Sequence, residues 1–351
     1  MRVSKLLQYT EMKDRDTSLD VIRIVACLMV VLMHSPMPSP DANGMFLTAL
    51  SYFTAPCIGL FFMVSGALLL PINSGYVPFI RKRFSKIIIP TLFWSLLYIS
   101  LRLYNSESEI NVLQSIASLP FSPQGNGVLW FMYTLSGLYL LAPILSAWIE
   151  KATKRELQIV LLLWLITLCY PLLNFYVKTD ISTSGILYYF TGYAGYFLLG
   201  YYLKKYRTIS ALCLWLLAFA GVILLLALKY FNIESDFYNL FWYQSIFIAA
   251  LAAAIWKTTV TLVDTVQIKT WTIKPMVTLS NLTFGIYLIH ILIMRDWLWQ
   301  LDIVRNISNY TVQSLAIALI TFILSALVCR LLSVLPYSQW LIGYRTHKRK
   351  H

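Results

Sequence analysis

Ten continuous apolar runs divide the chain, at 19–36, 46–70, 85–104, 128–149, 157–173, 185–203, 208–230, 240–256, 276–295 and 312–335. A helix needs about 17–25 residues to cross a hydrocarbon core about 30 Å thick. The runs reach that length and do not alternate apolar with polar positions, so the pattern predicts helices and not a β-barrel. The expected fold is all-α: a polytopic membrane protein with a bundle of about ten transmembrane helices at 19–335. A tail at 1–18 precedes the bundle and a basic tail at 336–351 follows it. The first run is like a signal peptide only superficially. The segment after His34 has no small-residue cleavage site, and an uncleaved first helix is expected.

Composition strengthens this reading. Of the 351 residues, 59% are hydrophobic and 12% charged, against about 25% charged in a soluble domain. A water-soluble enzyme of this composition would lack the polar surface it needs. The net charge of +13 sits mainly in alternate loops and the two tails. One side of the expected topology holds 21 Lys and Arg and the other holds 5, with Arg23 and Arg330 inside helices. Cytoplasmic loops collect Lys and Arg, so both termini are expected in the cytoplasm. No basic stretch is interleaved with a nucleic-acid-reading motif, and nucleic acid is not an expected partner; membrane lipids are. The five cysteines lie in apolar stretches without C-x-x-C spacing and read as small buried hydrophobes. No internal repeat with paired broken helices is visible, which weakens a secondary-transporter reading.

The chemistry-bearing residues are few. Arg23 and His34 lie eleven residues apart in the first run. Eleven steps of about 100° return to nearly the same helix face, about 16 Å further on. Intramembrane ionisable residues usually face the bundle interior or a water-filled cavity. A plainer reading has Arg23 snorkelling to one interface and His34 capping the other end. Asp20, three residues before Arg23, can pair with it. His290 is the other internal histidine, with Tyr287 one turn before it; His347 and His351 fall in the basic tail. Two histidines without nearby carboxylates or thiols make a weak metal site, and no metal is expected. The run Arg81-Lys82-Arg83 with Lys86 reads as a positive-inside loop or as a clamp for donor phosphates. Among the aromatics of the sixth run, Tyr193 and Tyr196 are expected mid-helix, where they pack or line a sugar site.

Taken together these segments resemble the acyltransferase family 3 membrane proteins. The resemblance rests on Arg23–x10–His34, Phe61-Phe62-Met63-Val64-Ser65-Gly66, Arg81-x-Arg83 followed by Pro90, and Leu129-Trp130-Phe131. Tyr196-Phe197-Leu198-Leu199-Gly200-Tyr201 and Phe284-Gly285-Ile286-Tyr287-Leu288-Ile289-His290 complete it, in the family's order over nearly the whole chain. It implies an O-acyltransferase that moves an acyl group, usually acetyl from acetyl-CoA, to a carbohydrate hydroxyl on the extracytoplasmic side of a bacterial inner membrane. It implies ten helices around the site and functional roles for Arg23, His34, Arg81 and Arg83. The expected assignment is His34 and Arg23 as catalytic residues, with His34 as general base since its titration range suits a sugar hydroxyl. Arg81 and Arg83 are expected to bind acetyl-CoA, and Trp130, Tyr287 and His290 to shape the pocket for a cell-envelope glycan or lipid-linked saccharide. Two other functions fit the residues alone: a transporter or flippase for a lipid-linked saccharide, and a scaffold or sensor without chemistry. Neither requires acetyl-CoA.

Overall fold

The apolar runs fold as helices, the form in which a backbone satisfies its own polar groups inside hydrocarbon. The computed structural model describes residues 15–38, 44–104, 111–123, 127–178, 185–206, 209–266 and 270–346, and no strand occurs among them. Most of the 1–18 tail, part of the 105–127 loop, and His347 and His351 lie outside the described residues.

The elements in chain order are α1 (Thr17–His34), α2 (Gly44–Thr54), α3 (Pro56–Leu69), α4 (Tyr76–Arg83), α5 (Ile89–Tyr104), α6 (Val112–Ser118), α7 (Trp130–Lys151), α8 (Lys154–Thr167) and α9 (Tyr170–Val177). They continue as α10 (Ala194–Lys205), α11 (Ala211–Tyr230), α12 (Phe237–Leu240), α13 (Ile246–Thr265), α14 (Thr270–Ile291), α15 (Asp302–Arg305), α16 (Tyr310–Leu332) and α17 (Gln339–Ile342). Nine helical stretches among the described residues are long and apolar enough to span a membrane. They account for nine of the ten apolar runs.

The sixth run differs from expectation. Its helix, α10, begins only at Ala194 and has 12 residues, about 18 Å of rise. Gly192 sits at φ +92°, a conformation open to glycine at little cost, and it breaks the run ahead of the helix. Tyr193 is therefore the residue before α10 and not mid-helix. Tyr196 is fully buried, and its hydroxyl donates to the Tyr243 carbonyl at 2.6 Å.

A helix this short is held by its neighbours. Nine consecutive residues of α10, Gly195 to Leu203, are buried, mostly against α3. The two helices meet at glycines. A Cβ on Gly66 would lie 1.8 Å from the Phe197 carbonyl oxygen, and one on Gly200 would lie 1.9 Å from that of Met63. Small residues allow such close helix approach in membranes. The F-F-M-V-S-G and Y-F-L-L-G-Y segments are thus two sides of one contact. The stretch holding α3 is 78% buried, whereas α11 is 17% buried, so α3 is central and α11 peripheral. Helix α1 packs on α3, α13, α14 and α16.

Two local features shape the site. The chain makes a wider π turn at Phe84–Ile88, just before Pro90. Proline lacks an N–H and its ring crowds the carbonyl four residues back, so the regular ladder cannot continue there. The division at residue 335 is not the end of the packed structure. Ile342 is fully buried, and the Trp94 indole donates to the Leu341 carbonyl at 2.8 Å.

Candidate active site

Helix α1 carries one candidate residue at each end. Near its start, Arg15 reaches over the first turn and holds Asp20 through both oxygens, at 2.6 and 2.7 Å. That hydrogen bond, more than any other effect, raises the Arg15 pKa above the ordinary guanidinium value. Asp20 also accepts from Ser280 Oγ at 2.6 Å. Its partner is therefore Arg15 and not Arg23. Arg23 turns instead to α14, where Nη1 donates to Ser280 Oγ at 3.3 Å.

Arg23 faces a cavity of about 250 Å³ between α1, α7 and α14, closed by the chain after α17. Arg83 and Lys86 supply two further cations, and no Asp or Glu lines it. The Arg83 guanidinium lies over the rings of Phe79 and Tyr139, at 5.5 and 5.6 Å. Its Nε is buried with no hydrogen-bond acceptor. A desolvated guanidinium N–H without a partner is costly, and an anionic group in the cavity would satisfy it. Arg81 does not join this site. Residues two apart on a helix point about 200° apart, and with Arg83 inward Arg81 is exposed and outside the cavity lining.

Tyr287 lines the inner part of the cavity, and its hydroxyl donates to the Val128 carbonyl. Its ring stands 5.7 Å from His290, which faces His34 at 5.3 Å between ring centroids. Each histidine is tied to its own helix through Nδ1: His34 to the Val30 carbonyl at 2.8 Å and His290 to the Tyr287 carbonyl at 2.6 Å. A carbonyl only accepts, so Nδ1 carries the proton in each neutral ring and Nε2 presents a lone pair. His290 Nε2 is buried without a partner. Among the described residues no three His, Cys, Asp or Glu gather as a metal-ligand set.

Trp130 does not line the basic cavity. It sits in a ring cluster, 5.5 Å from Tyr193 and 5.6 Å from Tyr243. The Tyr243 hydroxyl reaches Met33 Sδ at 3.4 Å, beside His34. The structure thus gathers Arg23, Arg83 and Tyr287 at one cavity. It sets His34 and His290 side by side, their rings tilted by 52°, beyond Tyr287, and leaves Arg81 apart.

Three contributors lay outside the expectations: Ser280, Tyr344 and Tyr243. Ser280 has a visible signal, since 280, 283, 287 and 290 recur at helical spacing along one face. Tyr344 lines the cavity from a segment that reads as a tail.

The fold and site define an all-helical, multi-pass membrane protein with a cationic cavity within the bundle. The acyltransferase domain family, acyltransferase family 3, matches residues 16–333. The chain belongs to that family, and its general activity is that of a membrane acyltransferase. No curated protein and no solved structure matches it.

Proposed function

We propose that the protein transfers an acetyl group from cytosolic acetyl-CoA to a hydroxyl of a cell-envelope carbohydrate on the far side of the bacterial inner membrane. The observation that carries this reading is the arrangement along α1. A cationic, carboxylate-free cavity lies at the Arg23 end, and an imidazole with a free Nε2 lies at the His34 end. The 21 to 5 distribution of basic residues supports placing the Arg23 end, and both termini, in the cytoplasm. Reporter fusions after residue 120 should then report the outside and fusions after residue 152 the cytoplasm. An outside signal at 152 would contradict that orientation.

At about 250 Å³ the cavity is smaller than most small-molecule sites, which run about 300–1,000 Å³. It suits part of acetyl-CoA and not the whole. In this reading Arg83 and Lys86 take phosphate oxygens, Arg23 holds polar groups of the pantetheine arm, and the thioester extends past Tyr287 toward the histidines. In the direct form of the reaction the sugar oxygen attacks the thioester carbonyl carbon while His34 Nε2 takes the hydroxyl proton. The carbon–sulfur bond breaks, and the leaving thiolate receives that proton.

Arg83→Ala should weaken acetyl-CoA binding by tens-fold or more, since hydrogen bonds to charged groups are worth about 1.5–3 kcal/mol. Arg81→Ala should change it far less, because that side chain lies outside the cavity. Titration of purified protein in detergent, by calorimetry, checks both. Equal losses would contradict the separation of the two arginines.

A further inference from the structure

A second cavity, of about 640 Å³, lies between α9, the turn at Tyr188–Phe190 and α12. Connectivity places it at the His34 end of the bundle. Helix α7 starts at Trp130, in the ring cluster beside Met33, and its 22 residues carry the chain to the opposite end. Helices α8 and α9 bring it back. The lining differs in kind from that of the basic cavity. It includes Tyr170, Asn174, Tyr188, Asp236, Asn239 and Gln244, and no Lys, Arg or His.

Amide side chains both donate and accept hydrogen bonds, a carboxylate accepts, and tyrosine offers a ring face with a polar tip. A sugar matches that set, with hydroxyls that donate and accept and with C–H faces that pack on rings. A polyanion does not, since nothing cationic lines the cavity and Asp236 repels it. One Asp236 oxygen accepts from the Tyr238 backbone at 2.9 Å, which fixes the carboxylate in place. The volume lies within the range of small-ligand sites.

The cavity also connects to the proposed reaction centre. Gln244 on its wall follows Tyr243, whose ring packs against Trp130 and whose hydroxyl reaches Met33. The wall is therefore one residue from a ring that touches the turn bearing His34.

We propose that this cavity holds the acceptor as a hydroxyl-rich sugar and does not take the anionic donor. The two substrates would then have separate chambers, one at each end of the bundle. This assignment rests on the acetyl-transfer reading above.

The test uses full-length protein carrying Asn239→Cys or, independently, Gln244→Cys, in spheroplasts. A membrane-impermeant maleimide bearing a polyethylene glycol chain is added outside, and unsubstituted protein treated identically gives the background. The readouts are acetyl incorporation into envelope carbohydrate, before and after labelling, and acetyl-CoA binding by the purified labelled protein. Labelling should lower each variant's transfer at least ten-fold and leave acetyl-CoA binding unchanged. Retained transfer after full labelling would overturn the assignment. So would loss of acetyl-CoA binding, or failure of both cysteines to react from outside. Absence of transfer by the unsubstituted protein would count against the acetyl-transfer reading itself, and this assignment falls with it.

Discussion

His34→Gln should abolish detectable glycan acetylation in cells at matched membrane abundance, while the purified variant still binds acetyl-CoA. Glutamine keeps a polar side chain of similar reach but has no basic lone pair to take a proton. Positioned general bases are worth roughly 10²–10⁴-fold in rate, which puts the residual activity below ordinary detection. Donor binding should survive because the cationic cavity is built from Arg23, Arg83 and Lys86, about three helical turns from His34. His290→Ala should be less severe if that ring only shapes the pocket. Near-normal acetylation by His34→Gln would remove the base assignment and leave His34 a structural or binding residue.

The second large effect concerns folding. Gly200→Ala and Gly66→Ala should each prevent accumulation of monodisperse protein. The added Cβ would fall 1.9 Å from the Met63 carbonyl oxygen in one case and 1.8 Å from that of Phe197 in the other. Both obstacles are backbone atoms inside packed helices, so neither can swing aside as a side chain can. Overpacking a well-filled core typically costs about 1–3 kcal/mol, and here relief requires moving α3 and α10 apart. Gly137→Ala is the matched control, since nothing lies within 4 Å of its added Cβ. Size-exclusion profiles and thermal melts in detergent read the difference. A Gly200→Ala protein that elutes and melts like its parent would contradict the α3–α10 contact.

The helices were legible because hydrocarbon allows few alternatives: an apolar run of sufficient length must satisfy its backbone internally. The sixth run shows where that rule stops. Its aromatic content reads as a span, but a glycine with positive φ ahead of Ala194 shortens the helix, and burial among other helices replaces contact with lipid. The placement of Arg23 and His34 on one face followed from helical periodicity. The same periodicity, applied to Arg81 and Arg83, separates them, although as a motif they read as a pair. The partner of Asp20 was less accessible. Arg15 lies before the helix, and only the path of the chain entering α1 brings it to Asp20 in preference to Arg23. Tyr344 was hidden for a related reason, since a polar, basic terminus carries no periodic pattern that reveals packing against α5 and α14.

The central claim is that an acyl donor on one face of the membrane serves a hydroxyl on the other. Membrane vesicles of known orientation, enclosing or displaying envelope carbohydrate, test it most directly with radiolabelled acetyl-CoA added outside. With the Arg83 face cytoplasmic, as proposed, inverted vesicles turn it outward, and the enclosed carbohydrate should become labelled. Right-side-out vesicles from the same cells should stay unlabelled until they are opened. Labelling in right-side-out vesicles alone, or none in inverted vesicles that bind acetyl-CoA, would contradict the account.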